Sequence, residues 1–231
     1  MMQMKPITTL FMLMSVDGKI STGCSDYLDF DADLPLISGV SEGLNQYYEI
    51  EKTTDLWSLN SGRVHAKLGV NEKPMPTKTA VSFVLVDNNH LTEHGIRYFC
   101  AKSNKFVLIT TNAKHPAFEV CSENMHIILQ DKLCMRNAFA ELYKMGCTSL
   151  TIQTGGTLNG LILREGLFDY VDIVVAPVLV GGRETSTLID GESIADVNEL
   201  NKLSALTLID VSKLNDSYIR MRYKVINNIK E

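Results

Sequence analysis

The stretch Ser149–Gly182, SLTIQTGGTLNGLILREGLFDYVDIVVAPVLVGG, constrains the fold more than any other part of the chain. Ser149–Gln153 is a short β-branched and apolar run of the kind that fills a buried strand. Thr154-Gly155-Gly156 interrupts it, and Thr157 is placed to cap a helix. Leu158, Leu161, Ile162 and Glu165 then recur at helical spacing, and Gly166 stands where a helix would stop. A second apolar strand, Tyr170–Ala176, ends at Pro177 and the pair Gly181-Gly182. Strand, glycine pair, helix, strand is the order of a βαβ unit with a ligand over the helix start.

The glycine pair has two physical readings. Without Cβ atoms, Gly155 and Gly156 let a ligand approach the backbone amides, and the unpaired N–H groups of a helix start favour an anion, most often a phosphate. The pair can equally serve a plain strand-to-helix turn, because a short Gly-Gly is a weaker motif than a full dinucleotide fingerprint.

A chain of 231 residues has length enough for one large domain or two small ones, and no repeat, low-complexity segment or composition break divides it. A single domain over 1–231 is the economical expectation. A net charge of −5 without a basic stripe excludes a nucleic-acid surface. No apolar run reaches membrane-spanning length, and the apolar N-terminal stretch passes straight into Asp17-Gly18-Lys19, which predicts a first core strand rather than a leader. Five cysteines without a CxxC pair speak for reduced thiols in a cytoplasm and against a zinc site or a disulfide framework. His90 and His94 have i, i+4 spacing but lie in a polar turn, so a surface loop and no metal is expected there.

In order, Pro6–Ser15 reads as a strand covered on both faces and ended by the Asp17-Gly18 turn. Asp17 and Lys19 thereby sit at the end of a central strand, where open α/β sheets place ligands. Residues 21–30 read as a loop, and 33–53 as one helix weakened by Gly39 and Gly43. Residues 55–59 read as a strand, with Asn60-Ser61-Gly62 breaking it and capping a short helix over 63–68. Val70–Lys78 is a connector; strands follow at 81–86, 106–110 and 125–129, and an amphipathic helix at 134–145. After Gly182 comes a polar loop, then two strands, 203–211 and 217–225, expected as an antiparallel hairpin.

SVDGKI, TIQTGGTLNGLIL and GLFDYVDIVVAPVLVGG together resemble the reductase domain of riboflavin biosynthesis proteins, over essentially the whole chain. The resemblance implies a dihydrofolate-reductase-like three-layer α/β/α fold, with a mixed, mostly parallel central sheet and a C-terminal antiparallel hairpin. It also implies NADPH as cofactor, a homodimer, and hydride transfer to an opened phosphoribosylamino-pyrimidine. By position, Gly155, Gly156, Thr157, Leu158 and Asn159 match the loop and helix start that hold the cofactor pyrophosphate. Asn60, Ser61, Gly62 and Arg63 match a second helix start that contacts the adenosine side, and Asn88 lies in the 2′-phosphate region. Gly23-x-Ser25-x-Tyr27 matches a Gly-x-Ser-x-Trp segment over substrate and nicotinamide, with Tyr in place of Trp. The family's Lys within strand one and its Glu before the glycine pair are replaced here by Leu10–Met14 and Thr154. Its phosphoribityl-binding Asp-x-Pro…Arg segment has no counterpart in 63–76, and the zinc deaminase motifs are absent.

The expected activity is therefore an NADPH-dependent reduction of a pyrimidine-type small molecule, 5-amino-6-(5-phosphoribosylamino)uracil first. Asp17, or a water it orders, is the candidate proton donor, and Lys19 orients substrate. Ser25 and Tyr27 contact substrate or nicotinamide. Against these stand a turn-capping Asp17, a solvated Lys19, a partly buried packing role for Tyr27 and a plain surface Arg63. A pterin or dihydrofolate-type reductase on the same fold and a non-catalytic NADP(H)-binding module are the alternatives.

Overall fold

The computed structural model describes residues 4–41 and 43–226. Its strands and helices run β1 (Ile7–Ser15), α1 (Phe30–Asp33), α2 (Leu44–Glu51), β2 (Trp57–Ser61), α3 (Gly62–Lys67), β3 (Ser82–Val86), α4 (Glu93–Lys102) and β4 (Phe106–Thr110). They continue with β5 (Met125–Leu129), α5 (Met135–Lys144), β6 (Ser149–Gln153), α6 (Gly156–Arg164), β7 (Tyr170–Ala176), β8 (Ala205–Lys213) and β9 (Ile219–Ile226). The chain divides into two compact units, one of Asp55–Thr154 with the N-terminal segment up to Pro6, the other of Ile7–Thr54 with the chain from Gly155 onward.

In the first unit β5, β4, β3, β2 and β6 pair in parallel in that order. All five residues of β4 (FVLIT) are buried, as a continuous apolar run covered on both faces requires. Leu85, Leu91, Ile96, Phe99, Phe106 and Leu108 form the core beneath, with Phe99 and Phe106 stacked at 5.6 Å. The expected strands at 81–86, 106–110 and 125–129 and the helix at 134–145 are present within a residue. Helix α4 was not expected. Thr92 caps it by accepting from the Gly95 amide, Ile96 and Phe99 bury one face, and Glu93 pairs with Arg97 at 2.6 Å. His94 therefore stands on a helix, with Nε2 2.7 Å from the Lys73 carbonyl oxygen, rather than in a surface loop.

In the second unit β1 pairs with β7 in parallel, and β7, β9 and β8 follow antiparallel, so the C-terminal hairpin is as expected. Phe11, Leu13, Phe30, Leu34, Tyr47, Val174, Ala176 and Tyr218 are buried together, with Phe11 and Tyr47 stacked at 4.9 Å. The single helix expected over 33–53 is corrected. Helix α1 stops at Asp33, Pro35 lies in a 3-10 turn, Gly39 takes a left-handed φ of +88°, and α2 begins only at Leu44. A proline at the entry of a tight turn and a glycine at positive φ end helices for backbone reasons that the apolar spacing does not carry. Strands β6 and β7 have the expected bounds, and together with the hairpin they give the mixed, mostly parallel α/β class.

Candidate functional site

In the second unit the turn after β1 is a hydrogen-bonded knot. Ser15 Oγ donates to Asp17 Oδ1 at 2.6 Å and accepts from the Lys19 amide at 2.8 Å. Asp17 also accepts from the amides of Val180 (3.1 Å) and Gly181 (2.6 Å). The Ser15 hydroxyl first, then the Val180 amide, outweigh the small upward push of burial, and with the Gly181 amide they lower its carboxyl to about 2. A group so held is an acceptor at neutral pH. Asp17 is thus a carboxylate that binds the 180–181 backbone, which supports the turn-capping reading.

Lys19 is likewise tied to backbone, which overturns its reading as a solvated side chain. Its ammonium is not solvated but donates to the carbonyls of Gly182 (2.7 Å) and Thr185 (2.8 Å), and the residue is only 9% exposed. Its backbone bridges Thr187 in antiparallel fashion, the Ile20 amide donates to the Ser186 carbonyl, and the Leu188 amide donates to the Gly18 carbonyl. The polar loop after Gly182 is thus a strap fixed to the β1 turn.

The strap continues onto α6. Asp190 N donates to the Gly156 carbonyl at 2.9 Å, and Asn159 Nδ2 donates to the Leu188 carbonyl at 2.9 Å. The Asp190 carboxylate accepts from the Thr187 hydroxyl (2.6 Å) and amide (3.2 Å). A Cβ on Gly156 would overlap Asp190 Oδ2 and the Thr187 carbonyl, and one on Gly160 would overlap the Asp190 carbonyl. Gly156 is therefore required by the chain's own strap. Gly155 is different: its φ of −72° suits any residue, and a Cβ there would meet nothing within 4 Å. Gly155, not Thr157, is the N-cap, so α6 begins without a side-chain cap. Thr157 and Leu158 lie in its first turn, and Asn159 is fully buried on the strap.

Ser25 Oγ accepts from the Tyr27 amide at 3.1 Å and closes a small turn. Tyr27 is 97% exposed, so its expected packing role is corrected.

In the first unit Asn60 and Ser61 are the last residues of β2, and Ser61 is also the N-cap of α3. Asn60 Nδ2 donates to Ser58 Oγ at 2.8 Å, and Ser61 makes no side-chain cap bond. Gly62 is buried at the start of α3, where a Cβ would overlap the Asp87 side chain, and Arg63 follows, exposed. Asn88 Oδ1 accepts from the Thr110 hydroxyl (3.0 Å), the Thr111 amide (2.8 Å) and the Thr111 hydroxyl (3.1 Å). Through its oxygen that carboxamide ties two strand ends together.

Asp87 reads from sequence as part of the turn beside Asn88, with no role of its own for the side chain. Its side chain is buried, and it accepts from the Leu91 amide (2.9 Å), the His90 amide (3.1 Å), His115 Nε2 (2.9 Å) and His90 Nδ1 (2.8 Å). The Ala117 amide donates to His115 Nδ1, so the proton of that buried ring sits on Nε2 and points at Asp87. Burial pushes the Asp87 carboxyl up, but the bonds from His115, Leu91 and His90 together hold it below its usual range. The only sequence sign was an acid at the end of a strand, which also reads as a plain stop. Among the described residues no group of three His, Cys, Asp or Glu side chains is arranged to hold a metal ion, and no helix is long and apolar enough to cross a membrane.

The family model of the RibD C-terminal domain matches residues 58–216. A 2,5-diamino-6-ribosylamino-4(3H)-pyrimidinone 5′-phosphate reductase from Methanothermobacter thermautotrophicus is 26% identical over 207 residues, which is 87% of this chain and 91% of that protein. A pyrimidine reductase-like protein from Corynebacterium diphtheriae superposes with a TM-score of 0.62 at 13% identity, over 96% of this chain and 92% of that one. The bifunctional diaminohydroxyphosphoribosylaminopyrimidine deaminase and 5-amino-6-(5-phosphoribosylamino)uracil reductase of Thermotoga maritima also gives 0.62, at 14% identity, and there the match spans 57% of the longer chain.

Proposed function

Since this chain belongs to the RibD C-terminal domain family, we propose that it is an NADPH-dependent reductase of a ribosylaminopyrimidine 5′-phosphate. The diaminopyrimidinone named for the Methanothermobacter relative is the first substrate, because that likeness covers nearly the full length of both proteins. The uracil named for the Thermotoga protein is the second.

The observation that carries the reading is the uncapped start of α6. Gly155, the N-cap, gives the first amides of this nine-residue helix no side-chain acceptor, and among the described residues a Cβ on it would meet nothing within 4 Å. Such a start fits a pyrophosphate. Gly155 with the first turn at Gly156, Thr157 and Leu158 binds it there, while Asn159 holds the turn from behind. Arg63 at the start of α3 reads the 2′-phosphate, with Gly62 set against Asp87 and Asn60 and Ser61 leading into the turn. Ser25 and Tyr27 stand on an exposed loop free of core packing, which suits a cover over substrate. When bound, the cofactor would supply the hydride that goes to the carbon of the C=N in the ring-opened ribosylamine, and the nitrogen would take its proton from solvent. Asp17 and Lys19 orient backbone and take no part in proton transfer.

The hairpin supports a homodimer. Among the described residues β8 pairs only with β9, and Leu206, Leu208, Ile209 and Val211 are all exposed along it. An apolar edge strand of this kind is a surface for a second copy. Five unpaired thiols suit a cytoplasmic setting.

Following NADPH absorbance with the diaminopyrimidinone, the uracil and dihydrofolate tests the reading. Oxidation with either ribosylaminopyrimidine supports it. Oxidation with dihydrofolate alone assigns the fold to pterin chemistry, and tight binding without oxidation by any of the three leaves a binding module.

A further inference from the structure

Lys19 is an unusual residue to bury. Taking an ammonium out of water is unfavourable unless an opposite charge compensates, and its two acceptors here are neutral carbonyls. A side chain kept for packing alone would do better as an apolar one. What those two bonds achieve is geometric: they fix Gly182 and Thr185, and with them the strap that lies on α6.

Two glycines of α6 carry the other half of the observation. Gly156 and Gly160 are one turn apart and both face Asp190. Their missing Cβ atoms let the strap backbone lie against the helix, with Asp190 N on the Gly156 carbonyl and Asn159 on Leu188. Thr187 is locked to Asp190 by hydroxyl and amide. The β1 turn, the strap and the first turn of α6 are therefore one connected body, joined at each end by a charged residue.

We propose that Lys19 and Asp190 are positioning residues of the reductase: they clamp the 185–190 strap to α6 and so set where the helix start meets the cofactor. This rests on the reading of α6 as the pyrophosphate site. Neither side chain touches the reacting atoms. Lys19 acts through the Gly182 and Thr185 carbonyls, Asp190 through Thr187 and Gly156.

The test is steady-state kinetics on the full chain, with NADPH and the diaminopyrimidinone phosphate varied in turn, well below the melting temperature and with folding checked by circular dichroism. Asp190→Ala and Lys19→Met each raise KM for NADPH about tenfold, the cost of one lost hydrogen bond to a charged group. KM for the pyrimidine and kcat at saturation stay within about a factor of two of wild type. Asp190→Asn keeps an acceptor for Thr187 and recovers most of the loss, which a role resting on charge would not show. Asp190 lies on a surface strap, so its variants report even if Lys19→Met does not fold. Folded Asp190→Ala with a wild-type KM for NADPH overturns the proposal. A wild-type protein that does not oxidise NADPH fails the functional reading instead.

Discussion

Asp17 accepts a hydrogen bond from the Gly181 amide at 2.6 Å, joining the turn after the first strand to a backbone 164 residues later in the chain. The carboxylate is stabilised only in the folded protein, which makes the contact sensitive to pH. Its folded value, about 2, lies below the ordinary 3.8, so the contribution is present above pH 4 and is lost as pH falls toward 2. Asp17→Ala should lower the melting temperature at pH 7 by about 2–4 °C, as expected for a lost cap of about 1 kcal/mol in a chain of this size. Melts of both proteins over pH 2–7 check this; a gap that stays constant to the lowest pH contradicts it.

Neighbouring glycines should respond in opposite ways. Gly156→Ala places a methyl group into Asp190 and the Thr187 carbonyl and should cost about 1–3 kcal/mol of stability. The Cβ of Gly155→Val would meet nothing within 4 Å among the described residues, so its melting temperature should stay near the wild-type value while NADPH affinity falls. Differential scanning calorimetry and titration calorimetry separate the two. Gly155→Val with unchanged affinity would mean that no ligand uses that space.

Arg63 should discriminate cofactors. A charge-assisted bond to the 2′-phosphate is worth about 1.5–3 kcal/mol, so Arg63→Ala should weaken NADPH by about ten- to a hundredfold and leave NADH nearly unchanged. Equal losses for both would show that Arg63 does not read the phosphate.

Acid should act through His65. Its Nε2 is buried without a partner, and its ring packs edge-on against Phe99 at 4.8 Å. Burial first, then Lys102 and Lys73, lower its value from 6.5 to about 4. The fold holds the neutral ring, so the unfolded chain binds more protons between those values and stability falls as pH drops from 6.5 toward 4. His65→Leu should flatten that slope in urea melts; an identical slope in wild type and variant contradicts this origin.

Most of the fold was legible in the sequence because buried strands leave continuous apolar runs. FVLIT and SLTIQ became β4 and β6 at the expected residues. Helices were less legible. Leu36, Val40 and Leu44 keep helical spacing through a segment that Pro35 and Gly39 break, while α4 hides its cap, Thr92, among polar turn residues. The Asp17-Gly18-Lys19 turn was found as a pattern, but its role was not, since the partners that decide it, Gly181, Gly182 and Thr185, lie far along the chain. The roles of Asp87, His115 and Asp190 were not legible for the same reason: each side chain is given meaning by partners from elsewhere in the chain.

Hydride transfer itself is the most direct test of the central claim. With NADPH deuterated at the transferring C4 position and the diaminopyrimidinone phosphate as substrate, mass spectrometry of the ribityl product should show one added deuterium, located at the carbon that was C1′ of the ribose. Product carrying no deuterium, or NADPH that binds and is never oxidised, would contradict the assignment of this chain as a reductase.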